Sequence, residues 1–96
     1  MNLVMIICPP SRQADVERLL ERHQVSGFTE LPEVLGEGTH GKRLGTHAWP
    51  GKSSLLFTAV APQKKDELVA ALRELAASMY SGESLRAFVL PVETVI

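Results

Sequence analysis

Six segments of this chain alternate between strand and helix patterns, and their order limits the fold more than any other feature. Short apolar runs or alternating residues predict four strands, and apolar stripes at helical spacing predict two helices. The segments follow one another as strand, helix, strand, strand, helix, strand. This order is a β-α-β unit used twice, and right-handed crossovers bring both helices to one face of a four-stranded sheet.

Proline and apolar composition define the strands. Three of the four predicted strands are apolar at consecutive positions, which is typical of buried strands. The second strand contains Pro32, which confines it to a sheet edge or a bulge because proline cannot donate a ladder hydrogen bond. The predicted strands are residues 3–8, 28–35, 55–60 and 85–92.

Apolar stripes three and four residues apart define the two helices. Ser11 is a predicted N-cap of the first helix, and Asp15 adds a negative charge to its first turn. His23 lies on the apolar stripe of this helix, so we expect it to be a partly buried, hydrogen-bonded structural residue. The second helix is predicted over 64–79, with Gly82 beyond its end. The sequence therefore predicts an α+β, ferredoxin-like βαββαβ fold with an antiparallel sheet and both helices on one face. The stripes are Val16, Leu19, Leu20 and His23, then Leu68, Leu72, Leu75, Ala76 and Met79.

Length and charge exclude several classes of protein. Ninety-six residues predict one domain over 1–96, and 10 basic against 11 acidic residues argue against a nucleic-acid binder. The longest apolar run, 3–8, is too short to span a membrane and lacks the basic flank of a signal peptide. A single cysteine allows no intrachain disulfide, so we expect a cytoplasmic protein.

Apolar residues on both sides of the sheet predict self-association. Two helices cover one face, and a sheet whose other face meets water should alternate apolar and polar residues. In residues 55–60, both alternating sets contain large apolar side chains. Because large exposed apolar patches mark interfaces, we expect a homo-oligomer in which these faces pack together.

Residues 36–52 form a predicted loop of unusual length and composition. The loop opens with G-x-G-x-x-G, but the residues that follow cannot form the helix that a dinucleotide fingerprint requires. It is rich in basic residues and carries one aromatic, which suits an anionic ligand or a protein partner. Arg43 and Trp49 are the expected anchors, and loops of this length are usually functional.

Two loop histidines suggest a second class of function. His40 and His47 lie seven residues apart, and pairs from several copies of an oligomer could bind a divalent or heavy metal ion. Ordinary surface histidines are the alternative. Cys8 is expected to be a small buried apolar residue, and no pair of carboxylates is placed for acid–base chemistry. We therefore expect no enzymatic activity.

Two motifs resemble those of the P-II signal-transduction proteins. They are Gly36-x-Gly38 after the second strand and the last strand, Arg86–Glu93, which reads RAFVLPVE. The resemblance implies a homotrimer that regulates nitrogen or carbon metabolism, or a membrane transporter. The trimeric CutA divalent-cation-tolerance proteins share the architecture, which gives the loop histidines a second context.

The P-II resemblance also implies roles for particular segments. Residues 36–52 correspond to the mobile T-loop, and residues 81–85 correspond to the B-loop, which helps to bind nucleotide between subunits. Glu83 departs from the glycine-rich B-loop pattern, and the absence of tyrosine from 36–52 excludes uridylylation there. The implied effector contacts are Gly36, Gly38, Lys42, Arg43 and Arg86, and the implied effector or partner contacts are His47 and Trp49. Nucleotide and divalent metal are the candidate ligands.

Overall fold

The computed structural model describes residues 1–35 and 52–96, and these form one antiparallel sheet with two helices. The sheet order is β2-β3-β1-β4, so the first and third strands are central. This topology confirms the predicted ferredoxin-like α+β fold. The elements are β1 (Asn2–Cys8), a short 3-10 helix (Pro10–Arg12), α1 (Gln13–Arg22), β2 (Thr29–Leu35), β3 (Lys52–Val60), α2 (Pro62–Ala77) and β4 (Arg86–Pro91).

The predicted capping role of Ser11 is wrong. Pro9 is extended and Pro10 begins the 3-10 turn, so Ser11 already lies inside helical backbone when α1 starts. An N-cap needs non-helical backbone, which Ser11 no longer has. Arg12 is the residue before α1, and its side chain makes no capping hydrogen bond. Asp15 does lie in the first turn, as predicted.

The end of α1 is a Schellman motif. Val25 N–H donates to Leu20 O at 2.9 Å, and Gln24 N–H donates to Glu21 O at 3.0 Å. These are the two bonds of that motif, with Gln24 in the left-handed conformation at φ 60°. Val25 packs against the core, which adds the apolar contact that usually accompanies the motif. The chain is thereby turned from α1 toward β2.

Helix α2 begins two residues earlier than predicted, at Pro62, because proline fits the first helical position.

The helix-covered face of the sheet contains the core. The buried apolar residues form one cluster drawn from β1, α1, β3 and α2. Its members are Val4, Ile6, Cys8, Val16, Leu19, Leu20, Leu56, Leu68 and Leu72.

Cys8 is 1% exposed and belongs to this core, as predicted. Burial, together with the negative charges of Glu30 and nearby acids, raises the pKa of the thiol to about 11. The thiol is therefore protonated at neutral pH, and thiols in that state are poor nucleophiles.

Pro32 has the predicted place at the sheet edge. Strand β2 pairs with β3 along one side and is terminal in the strand order. The register between them shifts between Leu31 and Val34, around the proline. The buried Ser54 hydroxyl of β3 lies 2.9 Å from Pro32 O and 2.6 Å from Gln13 Oε1. The irregular edge is thus tied to α1 through one hydroxyl.

Candidate functional site

The face of the sheet away from the helices is apolar. Strand pairing places Met5 opposite both Phe57 and Phe88, and Leu3 opposite Leu90. Phe88 is 49% exposed and Leu90 is 43% exposed, although each lies among apolar neighbours. Apolar neighbours on a continuous open face are typical of an interface. The structure therefore contains the second apolar face that the sequence predicted.

Arg86, the one described residue of the predicted effector set, is exposed at the start of β4. It pairs with Ile7 and so lies on the open face. At the same end of the sheet, Leu35 pairs with Lys52, and these two residues flank 36–51. Strands β2 and β4 are opposite edges, so three strand spacings, roughly 14 Å, separate them. The remaining predicted site residues lie outside the described part of the chain: Gly36, Gly38, His40, Lys42, Arg43, His47 and Trp49.

The turn before β4 is fixed by Glu83. Arg12 Nε donates to Glu83 Oε2 at 3.0 Å, and Arg12 NH2 donates to Oε1 at 2.8 Å. The Tyr80 backbone N–H also donates to Oε1, at 2.9 Å, while Glu83 N–H donates to Tyr80 O at 3.0 Å. Gly82 supplies the φ of 90° that this turn requires. The segment 80–83 is therefore bound to the β1–α1 connection.

Arg12 dominates the electrostatics of this turn. Its hydrogen bonds, first with Glu83 and then with Asp15, hold the pKa of the guanidinium above its ordinary value. The same contacts lower the pKa values of Glu83 and Asp15. The guanidinium also lies 5.5 Å from the centre of the Tyr80 ring, within cation–π range. Sequence reasoning missed this cluster because Arg12 and Glu83 are 71 residues apart.

A shallow pocket of about 160 Å³ lies at the opposite end of the helices. It is lined by residues 24–27, 58–61 and Lys64, and the Thr58 hydroxyl donates to Gly27 O there at 2.6 Å. Lys64 Nζ donates to His23 O at 2.6 Å. These two hydrogen bonds connect the segment after α1 to β3 and to the first turn of α2.

His23 has the structural role that the sequence predicted. Its Nδ1 lies 2.5 Å from Glu67 Oε2, and its side chain is 26% exposed. This contact joins the end of α1 to α2. The His23 and Lys64 hydrogen bonds lower the pKa of Glu67, which keeps that carboxylate ionised.

Glu30 of β2 lies close to the carboxyl group of Glu17 in α1. The pKa of Glu30 is raised, first by a hydrogen bond with Glu17 and then by burial. Glu30 Oε1 is buried and lacks a hydrogen-bond partner among the described residues. Sequence reasoning missed this pair, because alternation along the strand indicates the face on which Glu30 lies but not the helical residue that it contacts.

Neither a metal cluster nor a membrane-spanning helix is found in the described ranges. No three histidine, cysteine or acidic residues of 1–35 and 52–96 are grouped to hold a metal ion. Within the same ranges, no helix is long and apolar enough to cross a membrane. The metal hypothesis for His40 and His47 lies outside these residues and stays a prediction. Zinc titration of H40A/H47A would test it, and unchanged affinity would contradict it.

The sheet topology and the open apolar face define a ferredoxin-like α+β domain with a surface suited to association. A comparison with protein families identifies it further: the model of the nitrogen regulatory protein P-II family matches residues 1–96, the whole chain. The chain belongs to the P-II family, which confirms the resemblance of its motifs. No curated protein matches the chain.

Membership of this family supports a role in regulatory signal transduction. P-II proteins generally act as trimers that bind small effectors and protein targets. The family match therefore gives the class of function.

Proposed function

We propose that this protein is a trimeric, non-enzymatic cytoplasmic regulator. The last residue of the predicted loop 36–52, Lys52, belongs to β3. Residues 36–51 change conformation when a small effector binds between subunits, and this change controls a partner protein such as a membrane transporter. The observation that carries the proposal is the match of the P-II family model to the whole chain. The open sheet face and the position of Arg86 add support from this chain itself.

The open apolar face supports assembly into a trimer. Phe88, Leu90 and Leu31 each keep 43–49% of their surface exposed in a single chain. Burial of apolar surface stabilises by about 25 cal/mol per Å². Packing three such faces together removes these side chains from water, in addition to the half-buried residues between them. The association is therefore favoured by the same effect that builds the core.

The position of Arg86 supports an effector site between subunits. Arg86 begins one edge strand, whereas 36–51 connects the other edge strand to β3. These two groups lie at opposite edges of the sheet in one chain. A small effector can therefore contact both Arg86 and residues near the base of the loop more easily when the two come from different copies of the chain. We assign effector contacts to Gly36, Gly38, Lys42, Arg43 and Arg86, with nucleotide as the first candidate.

Partner recognition is assigned to the same loop. Trp49 supplies a large aromatic surface, and His47 supplies a polar group, which together suit contact with a protein or with the effector. The basic residues around them favour an acidic surface on the partner.

A nucleotide titration tests the proposal. Calorimetry with ATP, ADP and cyclic nucleotides should show binding by the native protein, and R86A should weaken it at least tenfold. The control is R73A, which removes another exposed arginine, from α2. Absence of binding at millimolar nucleotide removes the nucleotide part of the proposal. Single-chain particles in sedimentation velocity at micromolar concentration contradict the trimer and the site between subunits.

A further inference from the structure

Four hydrogen-bond donors converge on the Glu83 carboxylate. Two belong to the Arg12 guanidinium and one is the Tyr80 backbone N–H, all at 2.8–3.0 Å. The fourth is the Ser11 hydroxyl, 3.4 Å from Oε2. A guanidinium fork, a backbone N–H and a hydroxyl are donors that proteins use for phosphate as well as for carboxylate. The group of donors has the composition of an oxyanion receptor, and the chain's own Glu83 occupies it.

The donors have supports that do not depend on the Glu83 carboxylate. Arg12 NH1 donates to Asp15 Oδ2 at 2.9 Å, and the guanidinium lies 5.5 Å from the centre of the Tyr80 ring. The turn itself is closed by the Glu83 N–H bond to Tyr80 O, a backbone contact. Removal of the carboxylate therefore leaves the donors close to their present positions, which is what a preorganised binding site requires.

The Glu83 side chain is able to leave this receptor. It is 19% exposed, as is Arg12, so the contact lies at the surface and not in the core. A carboxylate that rotates into solvent regains hydration, and a phosphate group that takes its place keeps Arg12 paired with an anion. Arg12 therefore has an anionic partner both before and after the exchange of Glu83 for phosphate.

We propose that Arg12, Ser11 and the Tyr80 N–H form a phosphate-binding site that Glu83 fills in the free protein, and that a phosphate-bearing ligand binds by displacing Glu83. Its biological role rests on the proposed function, because the turn that carries Glu83 leads into β4, whose first residue, Arg86, is assigned there to effector binding. The inference names a phosphate group as the effector's chemistry and gives Glu83 the role of an internal competitor.

An internal competitor lowers the apparent affinity for phosphate. The apparent dissociation constant equals the intrinsic constant divided by the fraction of molecules in which the site is open. If Glu83 holds the site closed nine times in ten, the loss is about tenfold. Removal of the carboxylate should restore this affinity, although the substitution adds no new contact to phosphate.

Titration of inorganic phosphate at constant ionic strength tests the inference. E83A should bind phosphate about tenfold more tightly than the native protein. The matched control E74A makes the same change in net charge at an exposed position of α2 and should bind like the native protein. The double variant R12A/E83A should lose the gain. Equal affinity in folded E83A and E74A overturns the inference, and E83Q provides a second variant if E83A does not fold.

The native protein gives a second, independent readout. Because Tyr80 N–H bonds to the displaced carboxylate and then to the phosphate, its amide resonance should move on phosphate addition toward its position in phosphate-bound E83A. An amide that stays in place while E83A binds phosphate overturns displacement. A parallel titration with ADP distinguishes the sources of the phosphate group: tighter binding of ADP to E83A identifies a phosphate ester, and equal binding identifies the free ion. These titrations need neither a trimer nor a target, so their failure leaves the proposed regulator intact.

Discussion

The two faces of the sheet have similar apolar character but different partners. On the covered face, Ile6 and Leu56 are fully buried by α1 and α2 of the same chain. On the open face, Phe88 and Leu90 pair with β1 residues across the sheet yet stay nearly half exposed. The covered face therefore completes a fold within one chain, whereas the open face is stable in water only to the extent that another surface covers it.

This difference teaches that a strand pattern alone can report on assembly. Consecutive apolar residues in β1 and β3 exceed what two helices can cover, and the excess is found on the face away from the helices. The same residues in a sheet with helices on both sides would form an ordinary core. The number of helices therefore decides whether consecutive apolar residues in a strand indicate a core within one chain or an interface between chains.

A cavity on the covered face should have the largest effect of the changes considered, as a loss of stability. Leu56→Ala removes a fully buried side chain between the helices, and we expect a loss of about 2–5 kcal/mol in the free energy of unfolding. Urea denaturation followed by circular dichroism measures it. The control is Leu35→Ala, since Leu35 is 81% exposed, and it should change stability little. Similar losses for both variants would contradict the assignment of the core.

A charge on the open face should break assembly with a smaller effect on the fold. Phe88→Asp places a carboxylate opposite Met5 in the centre of the open face. We expect sedimentation velocity to show single chains in place of the assembly, with the helical signal of circular dichroism retained. Ala70→Asp adds the same charge on exposed α2 and should leave the assembly unchanged. An assembly that survives F88D would show that the open face is not the interface.

The strands and helices could be predicted because their signals are local. Apolar runs, helical stripes and Pro32 each act on the residues around them, and the order of elements then fixed the topology. The end of α1 was harder to predict from the sequence, because Gln24 takes the left-handed conformation that a glycine usually adopts at a helix end. Ser11 was misassigned because Pro10 starts a helical turn one residue before it.

The polar clusters could not be predicted because they join distant segments. Arg12 meets Glu83 only after β4 has paired with β1, and Glu30 meets Glu17 only after α1 has packed on the sheet. Sequence patterns indicate which face a residue occupies, but they do not give its partner on another element. For this reason Arg86 was found through a motif, whereas Arg12 was found only in the fold.

The carboxyl pair on the covered face should produce the smallest effect, a dependence of stability on pH. Glu30 has a raised pKa in the folded protein, so folding favours its protonated form. Its contribution is full below the unfolded pKa and is lost as pH rises through the folded value. Glu30→Gln keeps the shape and cannot ionise. We therefore expect E30Q to have a higher melting temperature than the native protein at pH 7, with the difference disappearing at acidic pH.

The source of this pH dependence can be isolated because β2 carries a second glutamate, Glu33, at an exposed position. Glu33 is exposed and pairs with Lys52 at 3.3 Å, so E33Q removes one carboxyl of β2 that is paired with a cation. Between pH 3.5 and 8, the difference in melting temperature from the native protein should grow with pH in E30Q and not in E33Q. Glu17 is the ionisable group that acts on Glu30, and Glu30 in turn raises the pKa of the Cys8 thiol. Glu17→Gln should therefore reduce the dependence as E30Q does, since either substitution removes the second negative charge. If the plots of melting temperature against pH are parallel for all variants, the two carboxyl groups do not interact. Ionisation on the covered face then has no effect on stability.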